Sequence, residues 1–204
     1  MNLQRAFERF ATQTLLRWNK TSQTWDETGI TGSLQVYDRF ISDRDFGQKK
    51  RIFLIPGPFT LDQNEAILKV SDVPGVWMIE GSNPDADGAG VYGNSMVLRE
   101  ARYKVKLLKA SGTKKRANGV GYVDATETLI AETWGDFSRY SSTESRELNQ
   151  VDYTIGSWYL PRGTPVDLDT IIEDSFNQRF VVREVSSFLD LLMIRAQERE
   201  DLTP

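Results

Sequence analysis

The first residues of the chain have the hydrophobic spacing of an amphipathic helix. Apolar side chains occur at positions i, i+3, i+4, i+7 and i+8, namely Leu3, Ala6, Phe7, Phe10 and Ala11. This spacing places all of them on one face of a helix with about 3.6 residues per turn. The pattern predicts a short helix over residues 1–13, and we expect it to pack against its own domain rather than dock on a partner.

After this helix, the chain alternates between short apolar segments and turn residues. The segments are rich in β-branched and aromatic residues, which favour strands. Predicted strands cover residues 34–41, 51–55, 76–80, 96–100, 103–107, 129–137, 154–160, 168–173, 179–185 and 188–195. Predicted turns lie at Gly29 and Gly32 and at residues 56–58, 73–75 and 83–94. Many short strands with such punctuation predict an all-β chain built from barrels or sandwiches.

The two halves of the chain contain similar motifs in the same order. The matched segments are Trp25 with Trp134, residues 60–62 with 164–167, 67–68 with 171–172, 77–79 with 180–182, and 96–99 with 192–195. We therefore predict two small tandem β-barrel or sandwich domains. The first covers residues 1–101, including the helix, and the second covers residues 102–204. We expect most of the tryptophans to fill barrel cores and one or two to anchor an interface; they are Trp18, Trp25, Trp77, Trp134 and Trp158.

Composition excludes several kinds of chemistry. The 204 residues contain no Cys and no His, which excludes disulfides, zinc–thiolate sites, cysteine nucleophiles and imidazole bases. The 25 Lys and Arg against 29 Asp and Glu give a net charge of −4, which argues against a general nucleic-acid binder. No apolar run has the length of a membrane span, and the first residues lack the apolar region of a signal peptide. We expect a protein that is not an enzyme, with no catalytic residue, cofactor, metal ion or membrane contact.

The second half contains a recognisable order of motifs. Ala131-Glu132-Thr133-Trp134 is followed by Ser142-Thr143-Glu144, then by a strand that ends in Trp158-Tyr159-Leu160-Pro161-Arg162-Gly163, and then by the strands at 179–185 and 191–195. This order resembles the head–tail joining proteins of tailed bacteriophages, the stopper or head-closure family, over residues 103–197. The family pattern closes one strand at Arg-Pro-Gly, where this chain has Pro161-Arg162-Gly163. It also has an Asp-Gly hairpin turn, which residues 175–178 replace here.

The resemblance implies a structural virion protein of the phage neck. Such a protein forms a homo-oligomeric ring, here expected to have six or twelve copies, between the portal or adaptor ring and the tail proteins. It helps to retain packaged DNA, which passes through the lumen without sequence-specific contact. The expected location is the neck of the virion, after assembly in the host cytoplasm.

Two other interpretations remain open at this point. The first is a different β-barrel part of the virion, such as a tail terminator or a tail-hub or baseplate protein. The second is a carboxylate-dependent hydrolase or a carbohydrate-binding β-sandwich. Carboxylate pairs for such a hydrolase would be Asp167 with Asp169, or Glu144 with Glu147.

Two segments are candidates for contact with a neighbouring subunit. Between Arg102 and Arg116 the chain has bases and no acid, and its Gly-flanked loop contains Lys114, Lys115 and Arg116. We expect this loop to contact a protein partner rather than DNA, because it has no interleaved aromatic residues to stack on bases. The second segment is a Gly-rich hairpin tip over residues 81–94, with the candidates Asp85, Asp87 and Tyr92. Residues 123–174 are strongly acidic, which favours a lumen that repels DNA phosphates.

Overall fold

The structure, a computed structural model, describes residues 9–36, 50–56, 59, 61, 67–87, 90–111, 126–139 and 155–198. These residues form twelve strands: β1 Gln13–Asn19, β2 Thr24–Val36, β3 Lys50–Pro56, β4 Ile67–Val70, β5 Val73–Asp87, β6 Gly90–Glu100, β7 Tyr103–Ser111, β8 Thr126–Arg139, β9 Ile155–Pro161, β10 Ile171–Glu173, β11 Arg179–Phe188 and β12 Leu191–Glu198. The prediction of an all-β chain is confirmed.

The predicted amino-terminal helix is not confirmed. Residues 1–8 lie outside the described ranges, and only Arg9 and Phe10 have helical backbone. Gln13 already begins β1, so the prediction was wrong at its carboxyl end. Across the described residues, no helix has the length and apolar character needed to cross a membrane.

The strands form two closed six-stranded barrels. Neighbours in the first barrel follow the order β1-β2-β3-β6-β5-β4, and β4 closes the barrel by pairing with β1. The second barrel has the order β7-β8-β9-β12-β11-β10, closed by β10 on β7. The two orders are identical when β1–β6 are matched with β7–β12. The chain also divides into two compact units: residues 1–102, 161–163 and 188–191 form one, and all other residues form the second.

Each barrel has its own apolar core. The first core contains Leu15, Phe53, Ile55, Leu68, Val70, Trp77, Ile79, Met96 and Leu98. The second contains Val105, Leu107, Trp158, Leu160, Ile172, Phe180, Val182, Ile194 and Ala196. One side chain from the β3–β4 connection, Leu61, packs against the first core, and Val166 from the β9–β10 connection packs against the second. Residues that the repeat matches therefore occupy the same place in both barrels.

The repeat also holds at the level of strand register. The hairpin of β4 and β5 in the first barrel corresponds to the hairpin of β10 and β11 in the second. In both hairpins, the matched apolar residues face each other across the strands: Ile67 with Met78 and Leu68 with Trp77, then Ile171 with Val181 and Ile172 with Phe180. Because a shift of one residue would turn every side chain to the other face, this agreement supports a duplicated barrel.

A further match, which the sequence pattern did not reveal, involves β3 and β9. Both strands have seven residues and both end in proline, at Pro56 and Pro161. Aligned on these prolines, Phe53 corresponds to Trp158, and both rings are fully buried. The first core therefore has Phe53 on β3 and Trp77 on β5, whereas the second has Trp158 on β9 and Phe180 on β11. The two large rings have exchanged positions between the barrels.

One match of the repeat is wrong. Trp25 pairs with Trp18 near the end of β1, whereas Trp134 pairs with Lys104 near the beginning of β7. The two tryptophans lie on equivalent strands but at opposite ends of the strand pair. The shared Thr-Trp dipeptide is therefore not a structural equivalence.

The sequence pattern missed β1 and most of β2. Gly29 and Gly32 were expected to form a turn, yet both lie inside β2. A Cβ atom at Gly32 would clash with the Phe53 ring and the Leu54 carbonyl, so this glycine permits close approach of two strands rather than a turn. At the other end of the chain, β10 begins at Ile171 rather than 168, because Leu168 and Asp169 form a turn and Asp169 has a φ of 64°.

Candidate interaction surfaces

The hairpin of β5 and β6 is longer than the barrel that contains it. The strand β4 pairs with β5 only as far as Met78, and β3 pairs with β6 only from Gly93 onward. Among the described strands, residues 83–87 of β5 therefore pair only with β6, and residues 90–92 of β6 lie opposite β5 alone. We call residues 81–94 the acidic hairpin, because they contain Asp85 and Asp87 and no Lys or Arg.

The backbone brings three of the predicted interface residues together in the acidic hairpin. Asp85 pairs with Gly93 and Asp87 with Gly90, and a register shift after Asp85 leaves Tyr92 as the extra, unpaired residue of β6. Such a β-bulge bends a ribbon and changes the direction of its side chains. Asp85, Asp87 and Tyr92 thus share the outer part of one hairpin.

A buried ion cluster lies where the acidic hairpin leaves the barrel. A register shift between Ile79 and Gly81 leaves Glu80 without a cross-strand partner. Its carboxylate is 3.0 Å from Lys50 Nζ and 2.8 Å from Arg99 Nε, and Lys50 and Arg99 face each other on β3 and β6. Glu80 is 4% exposed and Arg99 is 1% exposed. The bulge thus places the carboxylate beside two cations, which join three strands at the base of the hairpin.

The sequence pattern did not predict this cluster. Glu80 and Arg99 each follow a run of apolar residues that the repeat had assigned to barrel strands. Their position at the end of a buried apolar run was the sequence feature that could have indicated this cluster. Their pairing depends on the bulge and on the register, which a hydrophobic pattern does not specify.

The hairpin of β7 and β8 also extends beyond its neighbours. These strands pair from Tyr103 with Gly135 to Ser111 with Thr126, whereas β10 pairs with β7 only at residues 106–108 and β9 pairs with β8 only at residues 136–139. We call residues 108–130 the basic hairpin. Its cations are Lys109, Lys114, Lys115 and Arg116, and its acids are Asp124 and Glu127. Lys114, Lys115 and Arg116 belong to the connection between the strands and lie outside the described residues.

Apolar side chains are exposed at the base of the basic hairpin. Leu129 is 51% exposed and Ile130 is 40% exposed. The pairing shifts there from Leu107 with Ala131 to Leu108 with Leu129, so that Ile130 is the extra residue of a bulge in β8. The neighbouring Glu127 is held 3.1 Å from Arg179. This ion pair fixes β8 beside the exposed apolar residues.

Lysines at the start of β7 are neutralised within the second barrel. Lys104 lies 2.9 Å from Glu132, and Lys106 lies 3.3 Å from Glu173, which is also 2.7 Å from Arg179. Burial raises the pKa of Glu173, but hydrogen bonds and charge from Arg179 and Lys106 outweigh this effect and hold the pKa below its ordinary value. Part of the predicted basic run therefore pairs with the predicted acidic segment of the same chain.

Only two of the five tryptophans are in a core. Trp77 and Trp158 are buried, and the indole N–H of each has no acceptor within the described part of the chain. Trp18 and Trp25 instead pack on each other, with centroids 5.2 Å apart, and Lys69 lies 4.5 Å from the Trp25 centroid. Trp134 is likewise only half-buried and lies below Lys104. The expectation that most of the tryptophans fill cores was wrong, because Trp18, Trp25 and Trp134 lie outside both cores.

A groove of about 420 Å³ lies at the β1–β2 turn. Asp26 accepts hydrogen bonds from Asn19 at 2.7 Å and from Thr24 at 2.9 Å. Both bonds lower the pKa of the Asp26 carboxyl. An aromatic ring beside ordered polar groups is an arrangement that can bind a small polar ligand. The lining residues are Arg17, Trp18, Asn19, Lys20, Thr21 and Asp26.

The acid pairs considered for hydrolysis have no special environment in the described residues. Asp167 and Asp169 are exposed, and Asp169 lies 3.4 Å from Arg183. Glu144 and Glu147 lie outside the described ranges. Within those ranges, no three acids are grouped as ligands for a metal ion. No family model, curated protein or solved structure matches the chain.

Proposed function

We propose that this chain is a structural virion protein of a tailed-phage neck. In this proposal, identical copies form a ring between the portal or adaptor and the tail and help to retain packaged DNA. One support is the motif order over residues 103–197. Of its parts, Trp134 lies on β8, Trp158 on β9 and the segment 179–185 on β11, whereas Ser142-Thr143-Glu144 lies outside the described residues.

The observation that carries the proposal is the pair of oppositely charged hairpins on one chain. A ring of identical subunits needs a head-to-tail interface, in which two different surfaces of the chain meet. The acidic hairpin extends from the first barrel, and the basic hairpin extends from the second. Charge complementarity of this kind guides assembly and excludes wrong partners.

The two departures from the family pattern leave turns at the corresponding places. Pro161 ends β9, and Arg162 and Gly163 form the turn that follows. In the β10–β11 turn, the Asp174 side chain accepts hydrogen bonds from the backbone N–H groups of Phe176, at 2.8 Å, and Gln178, at 2.9 Å. Asn177 adopts the left-handed conformation with a φ of 61°, which Gly often supplies in such turns.

The test is electron cryo-microscopy of the particle whose genome encodes this chain. The expected result is a ring of density between head and tail into which two six-stranded barrels per subunit can be fitted. Barrels fitted at the tail tip or baseplate would favour the alternative virion position. A particle with no density for the chain would contradict a structural virion role.

A second function, carbohydrate binding, is favoured only by the groove at the β1–β2 turn. Trp18 offers a ring face, and Asn19 and Asp26 offer polar groups beside it. We expect Trp18→Ala to abolish binding of any oligosaccharide detected on a glycan array, whereas Trp134→Ala, on the second barrel, serves as the matched control. An array without a hit for the wild-type chain would remove this candidate.

A further inference from the structure

The base of the basic hairpin combines exposed apolar residues with a strand edge that no further described strand covers. Leu129 and Ile130 are adjacent on β8 and largely exposed. From Glu127 to Thr133, β8 pairs with β7 and with no other described strand. Soluble proteins usually protect such edges, because unpaired backbone groups beside apolar side chains bind other chains. This surface therefore has the properties of an association site.

The charge of this surface indicates the chemistry of its partner. Lys109 is exposed and makes no ion pair with any described residue, whereas Lys104 and Lys106 on the same strand already have acidic partners. A complementary partner would present carboxylates together with apolar or aromatic side chains. It would carry no cation near its contact residues.

The acidic hairpin of the same sequence has this composition. Residues 81–94 contain Asp85 and Asp87, no Lys or Arg, and the apolar pair Val91 and Tyr92. We infer that the base of the basic hairpin in one copy binds the acidic hairpin of a second copy. This inference rests on the proposed ring, since a contact between two different hairpins repeats from copy to copy and forms a ring where the rotation between copies closes.

The absence of Cys from the chain makes a direct test simple. Two full-length variants, Thr128→Cys and Ala86→Cys, are prepared separately, one with a mass tag, and are then mixed and treated with a short bismaleimide. A product that contains both variants reports contact between copies, because neither variant has a second thiol. The matched control replaces Thr128→Cys with Glu184→Cys, which introduces a thiol at an exposed position on β11.

We expect the Thr128→Cys and Ala86→Cys pair to give at least about tenfold more mixed product than the control pair. Adding Leu129→Ser or Lys109→Glu should remove most of this excess. Combining Lys109→Glu in the Thr128→Cys variant with Asp85→Lys in the partner variant should restore it, because the charges on the two sides of the contact are then exchanged. Equal yields for the test and control pairs would overturn the inference.

Mass photometry of the same samples separates this inference from the proposed function. Closed oligomers without selective cross-linking would overturn the hairpin contact but leave the ring in place. Selective cross-linking within open chains or dimers would support the contact and count against a closed ring. Monomers without selective cross-linking, at concentrations up to about 1 mM, would overturn the contact. The proposed ring would then be tested by the structure of the particle alone.

Discussion

The two barrels have the same strand order but have lengthened different hairpins. In the first barrel, the β5–β6 hairpin is long and the β1–β2 connection is a short turn at residues 20–23. In the second, the equivalent β11–β12 connection is a short turn at Leu189 and Asp190, whereas residues 112–125 separate β7 from β8. The barrels have therefore kept their cores and diverged at connections, where insertions disturb packing least.

The barrels also use one matched arginine differently. The repeat matches Arg99 with Arg195. Arg99 is buried beside Glu80, whereas Arg195 lies 3.5 Å from Glu184 and both side chains are more than half exposed. The buried cluster stands at the base of the long acidic hairpin, and the exposed pair stands in a strand pair that ends in a short turn. This difference predicts that the same kind of mutation has unequal effects in the two barrels.

The largest expected effect is loss of one barrel without the other. In the second core, the ring centroid of Phe180 lies 5.5 Å from that of Trp158 and 4.9 Å from that of Phe137. Phe180→Ala should cost about 3–5 kcal/mol of unfolding free energy, a large part of the 5–15 kcal/mol of a typical domain. Thermal unfolding followed by circular dichroism should show the second barrel melting early and the first keeping its transition. Complete loss of structure in a single transition would mean that the barrels do not fold independently.

The buried ion cluster should show an effect nearly as large. Glu80→Leu leaves Arg99 and Lys50 without this carboxylate and should cost about 3–5 kcal/mol. Glu184→Leu, which removes the exposed pair on the second barrel, should cost less than about 1 kcal/mol. Urea unfolding of both variants measures the comparison. Equal losses of unfolding free energy in Glu80→Leu and Glu184→Leu would show that burial does not distinguish the ion pairs of the two arginines.

Exchanging the two large aromatic side chains of the second core should show whether the two cores are packed in equivalent ways. Trp158→Phe and Phe180→Trp each change the volume of the second core and should cost about 1–3 kcal/mol alone. Made together, they reproduce the arrangement of Phe53 and Trp77 in the first core. The double variant should recover at least half of the summed loss, as a coupling energy measured by a double-mutant cycle. Simple addition of the two losses would contradict the equivalence.

The ion pairs of Glu173 with Lys106 and Arg179 should make the smallest contribution to stability, and this contribution should depend on pH in a defined way. The pKa of Glu173 is lowered in the folded state, so its stabilising contribution is present above the unfolded-state pKa and is lost as pH falls through the folded value. Wild type should exceed Glu173→Gln in stability by at most about 1 kcal/mol at pH 7. In urea unfolding series, the difference should shrink as pH falls below about 4.3, the ordinary pKa of Glu, and should vanish once the pH has passed the lowered folded value. A stability difference between wild type and Glu173→Gln that grows as pH falls would contradict the lowered pKa of Glu173.

The sequence predicted the features that depend on local pattern. Strands such as β3 and β11 are dense in β-branched and aromatic residues, and both predicted hairpin segments were marked by glycine and charge. The pattern missed β1 and β2, whose polar and glycine residues lack that density, and Gly32 is explained only by the Phe53 ring that packs on it. The cluster at Glu80 depends on a bulge and on strand register. Those are properties of pairing between distant segments and do not appear in a local hydrophobic pattern.

The most direct test of the central claim, that the barrels are a frame and the hairpins carry the contacts, is to shorten the acidic hairpin. Residues 86–92 are replaced by Asn-Gly, which suits a two-residue turn between the paired Asp85 and Gly93, and Asp85→Ser removes the remaining acid. Electron microscopy of particles assembled with this chain is the measurement, and unchanged thermal unfolding of the purified variant confirms that it folds. We predict folded protein and particles whose heads lack the neck ring. Particles with a normal neck ring would contradict the account.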